Sequence, residues 1–454
     1  MGEHPSSPAN SEVLDPARDE RARVGPSGAA RRPAASRALA LSVWLLLTVL
    51  VGAGALAVHP GHAPAPRLGM SVYGLVVVSY LVLQTIFAHL YFIGHRHASR
   101  KRRTESVSVV IPTYNEDPTV VARTVRSLLA QDYDGPIQVV VVDDGSRPDC
   151  SPARVLTTLP VGKRRSLEVV RFGTNKGKRH AHYEGFGRAR GDFVITVDSD
   201  TELGKEAVNA LVDEMLHRPR AGALTGNLRV SNATNLFTRL LDIRFWSSFN
   251  QERAAQSLFG VMICCSGAIA MYRREFLMQV RDVYIGQRFL GRPCTYGDDR
   301  HLTNLALWHG YEAAFVPDAH GLTACPTQVR RWVRQQLRWS KSFCREMLWS
   351  VRLMHRRNWY FAYSLTLGAA LPFALLWGLG WGVAHIVAGE WALAARYLLA
   401  IVFMAMLRGG YGLYRTGEWV FMLAPLYGLM HLAFVLPVRI VAPLALLDTR
   451  WGTR

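Results

Sequence analysis

The chain has 454 residues, half of them hydrophobic, and a formal charge of +19. That length holds one soluble domain plus several membrane spans, and the apolar residues do concentrate towards the two ends. The basic residues gather beside apolar segments, which argues against a nucleic-acid partner, and the six cysteines lack C-x-x-C spacing, which argues against a zinc site or a disulfide framework.

Residues 1–36, rich in Pro, Ala, Ser and Arg, cannot bury a core and read as a disordered cytosolic tail. Residues 37–95 read as a transmembrane hairpin, with apolar segments at about Ala38–Val58 and Met70–Ile93. Arg31, Arg32 and Arg37 on one flank and Arg100–Arg103 on the other put both outer ends in the cytoplasm, and the second cluster is read as a topology signal alone. From 101 to 325 the pattern changes. Val/Ile-rich runs at Ser106–Ile111, Ile137–Val142 and Phe193–Val197 end in polar residues, and Thr119–Ala130 has helical spacing. Such units predict an α/β domain with a doubly wound sheet and a site at the carboxyl ends of its strands.

Residues 326–357 are amphipathic. Within Gln328–Trp349 a basic stripe (Arg331, Arg334, Arg338, Lys341, Arg345) runs beside an aromatic one (Trp332, Gln336, Trp339, Phe343), which suits the membrane–water boundary. Residues 358–447 hold apolar spans at about Trp359–Val387 and Trp391–Leu407. The last stretch, Trp419–Leu447, is interrupted by Pro425, Pro437, Arg439 and Pro443, so a re-entrant or interfacial path is expected. That path would leave 448–454 on the cytosolic side.

Four acidic or mixed motifs fall where strands should end: Pro112-Thr113-Tyr114-Asn115-Glu116, Asp143-Asp144-Gly145-Ser146, Asp198-Ser199-Asp200 and Gly297-Asp298-Asp299-Arg300. Carboxylates converging on one sheet edge repel each other without a cation, and hard oxygen ligands point to Mg²⁺ or Mn²⁺ shared with a diphosphate. Asn175-Lys176-Gly177-Lys178-Arg179 supplies cations and flexible backbone for phosphate oxygens. His180, His182, His301 and His320 share no metal-ligand spacing and are read as structural or solvated. Cys264-Cys265 is read as a buried pair of small apolar residues.

The ordered motifs P-x-Y-N-E, D-D-G-S, N-x-G-K-R, D-S-D, G-D-D-R and Q-x-x-R-W (Gln335, Arg338, Trp339) resemble those of processive family-2 glycosyltransferases, over roughly Leu83 to Arg454. The resemblance is greatest to bacterial hyaluronan synthases, and next to nodulation-type chitin-oligosaccharide synthases. It implies a GT-A-like domain set between transmembrane helices of the inner or plasma membrane, with that domain cytosolic. Pro112, Tyr114, Glu116 and Asp144 would hold the uridine end of the donor, and Lys178, Asp198 and Arg338 its diphosphate. Asp200, with Asp198, would hold the metal. Asp299 would be the general base, and Gly267, Asp298, Gln335 and Trp339 would line the acceptor. Trp451, Thr453 and Arg454, in a gating-loop-like tail, would close over the donor. Ala268 departs from the proline usual in the family.

One base opposite the leaving group implies inversion, so an α-linked donor gives a β-linkage. The two apolar segments before the domain favour a hyaluronan synthase that uses UDP-GlcNAc and UDP-GlcA and passes the growing polysaccharide through its own spans. A chitin or chitin-oligosaccharide synthase using UDP-GlcNAc alone is the alternative. A non-catalytic receptor or transporter on a transferase scaffold is disfavoured by the complete set of acids.

Overall fold

Runs of valine and isoleucine that end in polar motifs form the centre of the molecule. The computed structural model describes position 50, residues 67–95 and residues 102–448. In it β1 (Val107–Thr113), β2 (Ile137–Asp143), β3 (Arg165–Arg171) and β4 (Phe193–Thr196) pair in parallel. β1 is buried along its whole length, as a strand covered by helices on both faces must be. The helix between β1 and β2, Pro118–Leu129, starts where the sequence signals it. The Asp117 side chain accepts from the Thr119 N–H at 2.8 Å, and Pro118 takes the first turn, where its missing N–H costs nothing.

Four further strands complete one mixed sheet: β5 (Thr201–Leu203), β6 (Ala221–Val230), β7 (Ala270–Arg273) and, after a small β8–β9 hairpin (Arg288–Phe289, Arg292–Pro293), β10 (Glu312–Thr323). The strand order is β3-β2-β1-β4-β7-β6-β10-β5. β7 runs antiparallel to both β4 and β6, with Ala270 opposite Thr196. This departs from a purely parallel sheet, and it matters for the site. The loop leading into Ala270, which contains Cys264 and Gly267, arrives at the carboxyl end of β4, where Asp198-Ser199-Asp200 begins.

Four described segments are long and apolar enough to cross a membrane, and they flank the α/β domain on both sides. The first helix, Arg67–Gly94, docks on the domain through the Tyr91 hydroxyl, which donates to the Phe315 carbonyl. Trp359–Val387 has the bounds expected, with Tyr360 stacked on Phe259 at 4.3 Å between ring centroids. The next helix runs past Leu407 to Thr416, because its two late arginines find partners instead of ending it. Arg408 bonds Glu252, and Arg415 lies 3.9 Å over the Phe92 ring. Gly417, at φ +71°, then turns the chain.

The last apolar stretch is a succession of short helical pieces from Trp419 to Ala445. Pro425, Pro437 and Pro443 each sit in the first turn of a new piece, so they restart the helix where the sequence suggested breaks. Glu418, just before it, pairs with Arg229 of β6 at 3.0 Å, and Asp448, just after it, accepts from Lys341 and from the Tyr296 hydroxyl. The tail 1–36, the segment Ala38–Val58 apart from position 50, and Arg100 lie outside the described residues.

Arg102 and Arg103 do more than mark topology. Arg103 Nε donates to Asp213 at 2.9 Å and its backbone N–H to Asn209, while Arg102 pairs with Asp132. The Arg103 bonds fasten the segment that enters the domain to the helix Ala207–His217.

Candidate active site

The carboxyl ends of β1, β2 and β4 carry the first three motifs, and backbone hydrogen bonds stitch them together. The Asn115 N–H donates to Ser146 Oγ at 2.8 Å, and the Arg147 N–H donates back to Asn115 Oδ1 at 2.9 Å. Asp144, buried, accepts the Lys176 and Gly177 N–H groups at 2.7 and 2.8 Å, so the D-D-G-S motif holds the N-x-G-K-R loop in place. Its carboxyl is pushed up by burial, against the pull of those two donors. Pro112 is buried within β1, while Tyr114 and Glu116 lie half-exposed just beyond it, Glu116 within 3.4 Å of Ser199 Oγ.

Lys178 joins the third and fourth motifs. Its Nζ lies 2.6 Å from Asp198 and 3.5 Å from Asp298. Burial alone would lower its pKa, but the two carboxylates outweigh that and hold it above the ordinary lysine value. Asp298 and Asp299 share the first turn of the helix Asp298–Trp308 yet are pulled apart. Asp298, despite burial, is held well below the usual range by Lys178, whereas Asp299 is raised by desolvation and by Asp298 itself. Gly267 faces both, since a Cβ there would lie 3.6 Å from that of Asp299 and 3.7 Å from Lys178 Nζ. His182, read from sequence as bland, is buried 3.6 Å from Asp298 and bonded to the Tyr284 hydroxyl; burial brings it down to about 4.

The Q-x-x-R-W helix, Val329–Ser350, is fastened across Asp298–Trp308. Ser342 abuts Gly297, whose φ of +76° and lack of a side chain permit the approach. Glu346 accepts from His301 and Asn304 on that helix and from Gln287, and these partners with Arg345 hold its carboxyl near 2 against burial. The basic stripe therefore does not all face a membrane surface. Arg331 and Arg334 are exposed, but Lys341 and Arg345 are buried, on Asp448 and on the Tyr296 carbonyl. Trp332 is also buried, against Phe237 and Phe434, while Trp339 remains 41% exposed one turn before Ser342, and Gln335 and Arg338 are half-buried on the same face.

The family model for glycosyl transferase family 2 matches residues 108–281. An N-acetylglucosaminyltransferase of Sinorhizobium fredii (strain NBRC 101917 / NGR234) is 36% identical, the match covering 77% of this chain and 84% of that protein. One of Rhizobium meliloti (strain 1021) is 32% identical over 85% of this chain and 90% of its own length. The chain belongs to glycosyltransferase family 2. A mannosyltransferase from Pyrobaculum calidifontis, solved with GDP-Man and Mn²⁺, superposes with a TM-score of 0.55 over 83% of this chain and 99% of its own. At 21% identity that likeness speaks for the fold alone.

In this family-2 glycosyltransferase Asp198 and Asp200 present hard oxygens at the end of β4, with Thr323 Oγ1 3.5 Å from Asp200. No group of three or more His, Cys, Asp or Glu side chains suited to a metal gathers among the described residues. Two carboxylates fit a divalent cation that takes its other ligands from a diphosphate and water.

Beside Asp299 the site opens through Cys264 and Arg300 into a cavity of about 680 Å³ that runs between the apolar helices. Six arginines (Arg244, Arg253, Arg300, Arg396, Arg408 and Arg439) line it against one carboxylate, Glu252. Sequence reading missed Glu252 and Glu346, since a lone Glu in a helix carries no signal until its partners are known. Trp451, Thr453 and Arg454 lie outside the described residues.

Proposed function

We propose that the chain is a membrane-embedded, inverting N-acetylglucosaminyltransferase that extends a β-linked chitin oligosaccharide or chitin from UDP-GlcNAc. The observation that carries the chemistry is the split pair Asp298/Asp299. One carboxylate is committed to Lys178, and the other is left more basic. Named relatives supply the sugar: those at 36% and 32% identity are N-acetylglucosaminyltransferases, which favours the single-donor alternative over the hyaluronan reading that the sequence suggested first.

In this reading residues 101–325 are the transferase domain, 326–357 the interface helix, and 37–95 and 358–447 the membrane region. Tyr114, Glu116 and Asp144, with Pro112 behind them, hold the uridine. Asp299 takes the proton from the acceptor hydroxyl as that oxygen attacks the anomeric carbon, and the bond to UDP breaks on the opposite face, giving inversion. Lys178 and Arg338 neutralise the departing diphosphate, and Trp339 stacks on the acceptor beside Gly267, Asp298 and Gln335. Mg²⁺ or Mn²⁺ on Asp200 and Asp198 would supply further charge to the leaving group. The cavity beside Asp299 takes the lengthening saccharide.

Contacts at both ends of Trp419–Ala445 support a path that returns to the transferase side by Asp448. Glu418 is tied to β6, and Asp448 to the Q-x-x-R-W helix.

A second reading keeps an anionic polymer. The excess of arginines around the cavity suits a carboxylate-bearing saccharide, so UDP-GlcA as a co-donor has an observation in its favour. Purified enzyme given each UDP-sugar alone and then both decides between them. A chitinase-sensitive product from UDP-GlcNAc alone, unchanged by UDP-GlcA, is expected; polymer that forms only with both donors would overturn the GlcNAc reading.

A further inference from the structure

Cys264 makes a contact that the mechanism above does not use. Its thiol lies 3.4 Å from Asp299 Oδ2, and it lines the mouth of the cavity next to Arg300. The other carboxylate oxygen, Oδ1, accepts the Arg300 N–H at 2.8 Å. Both oxygens of Asp299 are therefore engaged, one by backbone and one by the thiol.

The loop that presents the thiol is itself locked to the same helix turn. Cys265 N–H donates to Thr303 Oγ1 at 2.9 Å, and Thr303 Oγ1 donates to the Asp299 carbonyl at 2.8 Å. Arg253 Nε donates to the Cys264 carbonyl at 3.1 Å, and the Ser266 N–H donates to Thr225 Oγ1 at 3.1 Å. These four bonds leave the sulfur little freedom to move away from the carboxylate.

We propose that Cys264 is a positioning residue for the acceptor-activating base, holding the Asp299 carboxylate through Oδ2 and tuning its basicity; this rests on Asp299 being that base. A thiol is a weak donor. It restrains the carboxylate's orientation yet takes little from its proton affinity, and it gives way when an acceptor hydroxyl arrives with a stronger hydrogen bond. Burial and the neighbouring Asp299 charge push the thiol up to about 12, so it stays protonated and is the donor of the pair. The other groups facing Asp299 are Asp298 and Arg300 on its own helix, Lys178 from Lys178–Arg188, the Cys265 thiol and Arg253 behind the Cys264 loop, and the buried hydroxyls of Tyr272 and Tyr284. Removing the thiol leaves all of these in place.

The two natural replacements act in opposite directions. Alanine removes a donor to the carboxylate and makes the base harder to ionise, whereas serine offers a stronger donor and makes it easier. The test compares full-length wild type, Cys264→Ala and Cys264→Ser in lipid, measuring initial rate against pH and UDP affinity at one pH. With Cys264→Ala the acid limb should move up by about half a pH unit while UDP affinity stays unchanged. With Cys264→Ser the limb should move down. UDP affinity and thermal midpoint report folding, so if Cys264→Ala is lost to misfolding the serine variant still decides. Coincident acid limbs in all folded variants, or shifts in the same direction, would overturn the proposal. Asp299→Asn separates the layers: if it is inactive while the cysteine variants show no shift, only the role of Cys264 falls. If Asp299→Asn turns over normally, the base reading and this proposal fall together.

Discussion

Lys178 and Asp299 illustrate how little separates a structural charge from a chemical one. Lys178 is clamped by Asp198 and Asp298, so the positive charge proposed to meet a diphosphate is held in position by carboxylates. Asp299, one residue along, is raised by burial and by the charge of Asp298 more than Arg300 and Lys178 lower it, which is the higher proton affinity the proposed base needs. The two roles predict contrasting variants. Asp299→Asn should lower turnover by about 10²-fold or more with nearly unchanged UDP affinity, because a base acts in the transition state more than in binding. Asp200→Ala should instead lose metal-dependent UDP binding as well as turnover. Calorimetric titration with UDP, with and without Mn²⁺, checks both; equal wild-type affinity under the two conditions would remove the metal from the donor site. The motifs announced these residues, but not that Lys178 would contact Asp298 across 120 positions of sequence, nor that a thiol would face the base.

At the scale of elements, the coupling of Asp298–Trp308 to Val329–Ser350 decides how Asp299 and the Q-x-x-R-W motif sit relative to one another. Glu346 is the centre of that coupling, with four side-chain partners (His301, Asn304, Gln287 and Arg345) and almost no exposure. Glu346→Ala strands buried donors and should cost about 3–5 kcal/mol. It should appear as a lowered thermal midpoint and a fall in turnover with the donor site itself untouched. An unchanged midpoint would mean the network contributes nothing. Helix bounds were readable here because apolar and basic residues recur at three and four, and the observed Val329–Ser350 differs by one residue at each end from the expected span. Which way the basic stripe turns was not readable. Periodicity marks a face, but the identity of what covers it depends on residues more than a hundred positions away, as Asp448 does for Lys341.

The whole molecule links the apolar helices, the Q-x-x-R-W helix and the sheet through a few charge pairs. Arg229 of β6 reaches Asp242 and Glu418, Glu252 binds Arg244 and Arg408, and Lys341 meets Asp448. Asp448 sits against the helix that crosses Asp298–Trp308, and the terminal residues are proposed to close over the donor. Deleting Trp451–Arg454 should therefore reduce polymerisation by about ten-fold or more without affecting expression or membrane insertion, as measured by product yield and by fractionation of a tagged chain. Full synthesis by the truncated protein would separate the terminus from catalysis.

The sequence by itself determined the α/β domain between apolar segments, the order of its acidic motifs and the membership of a glycosyltransferase family, because valine runs, turn residues and motif spacing are local properties. Even the division of the last apolar stretch into short pieces was suggested by its prolines, although those prolines turned out to restart helices. Only the tertiary structure decided the antiparallel insertion of β7, which carries Cys264 and Gly267 to the end of β4, and the opposite shifts of Asp298 and Asp299. Both depend on which distant groups are brought within a few ångströms, and a pKa or a hydrogen bond responds to that distance and to desolvation, neither of which a linear order of residues contains.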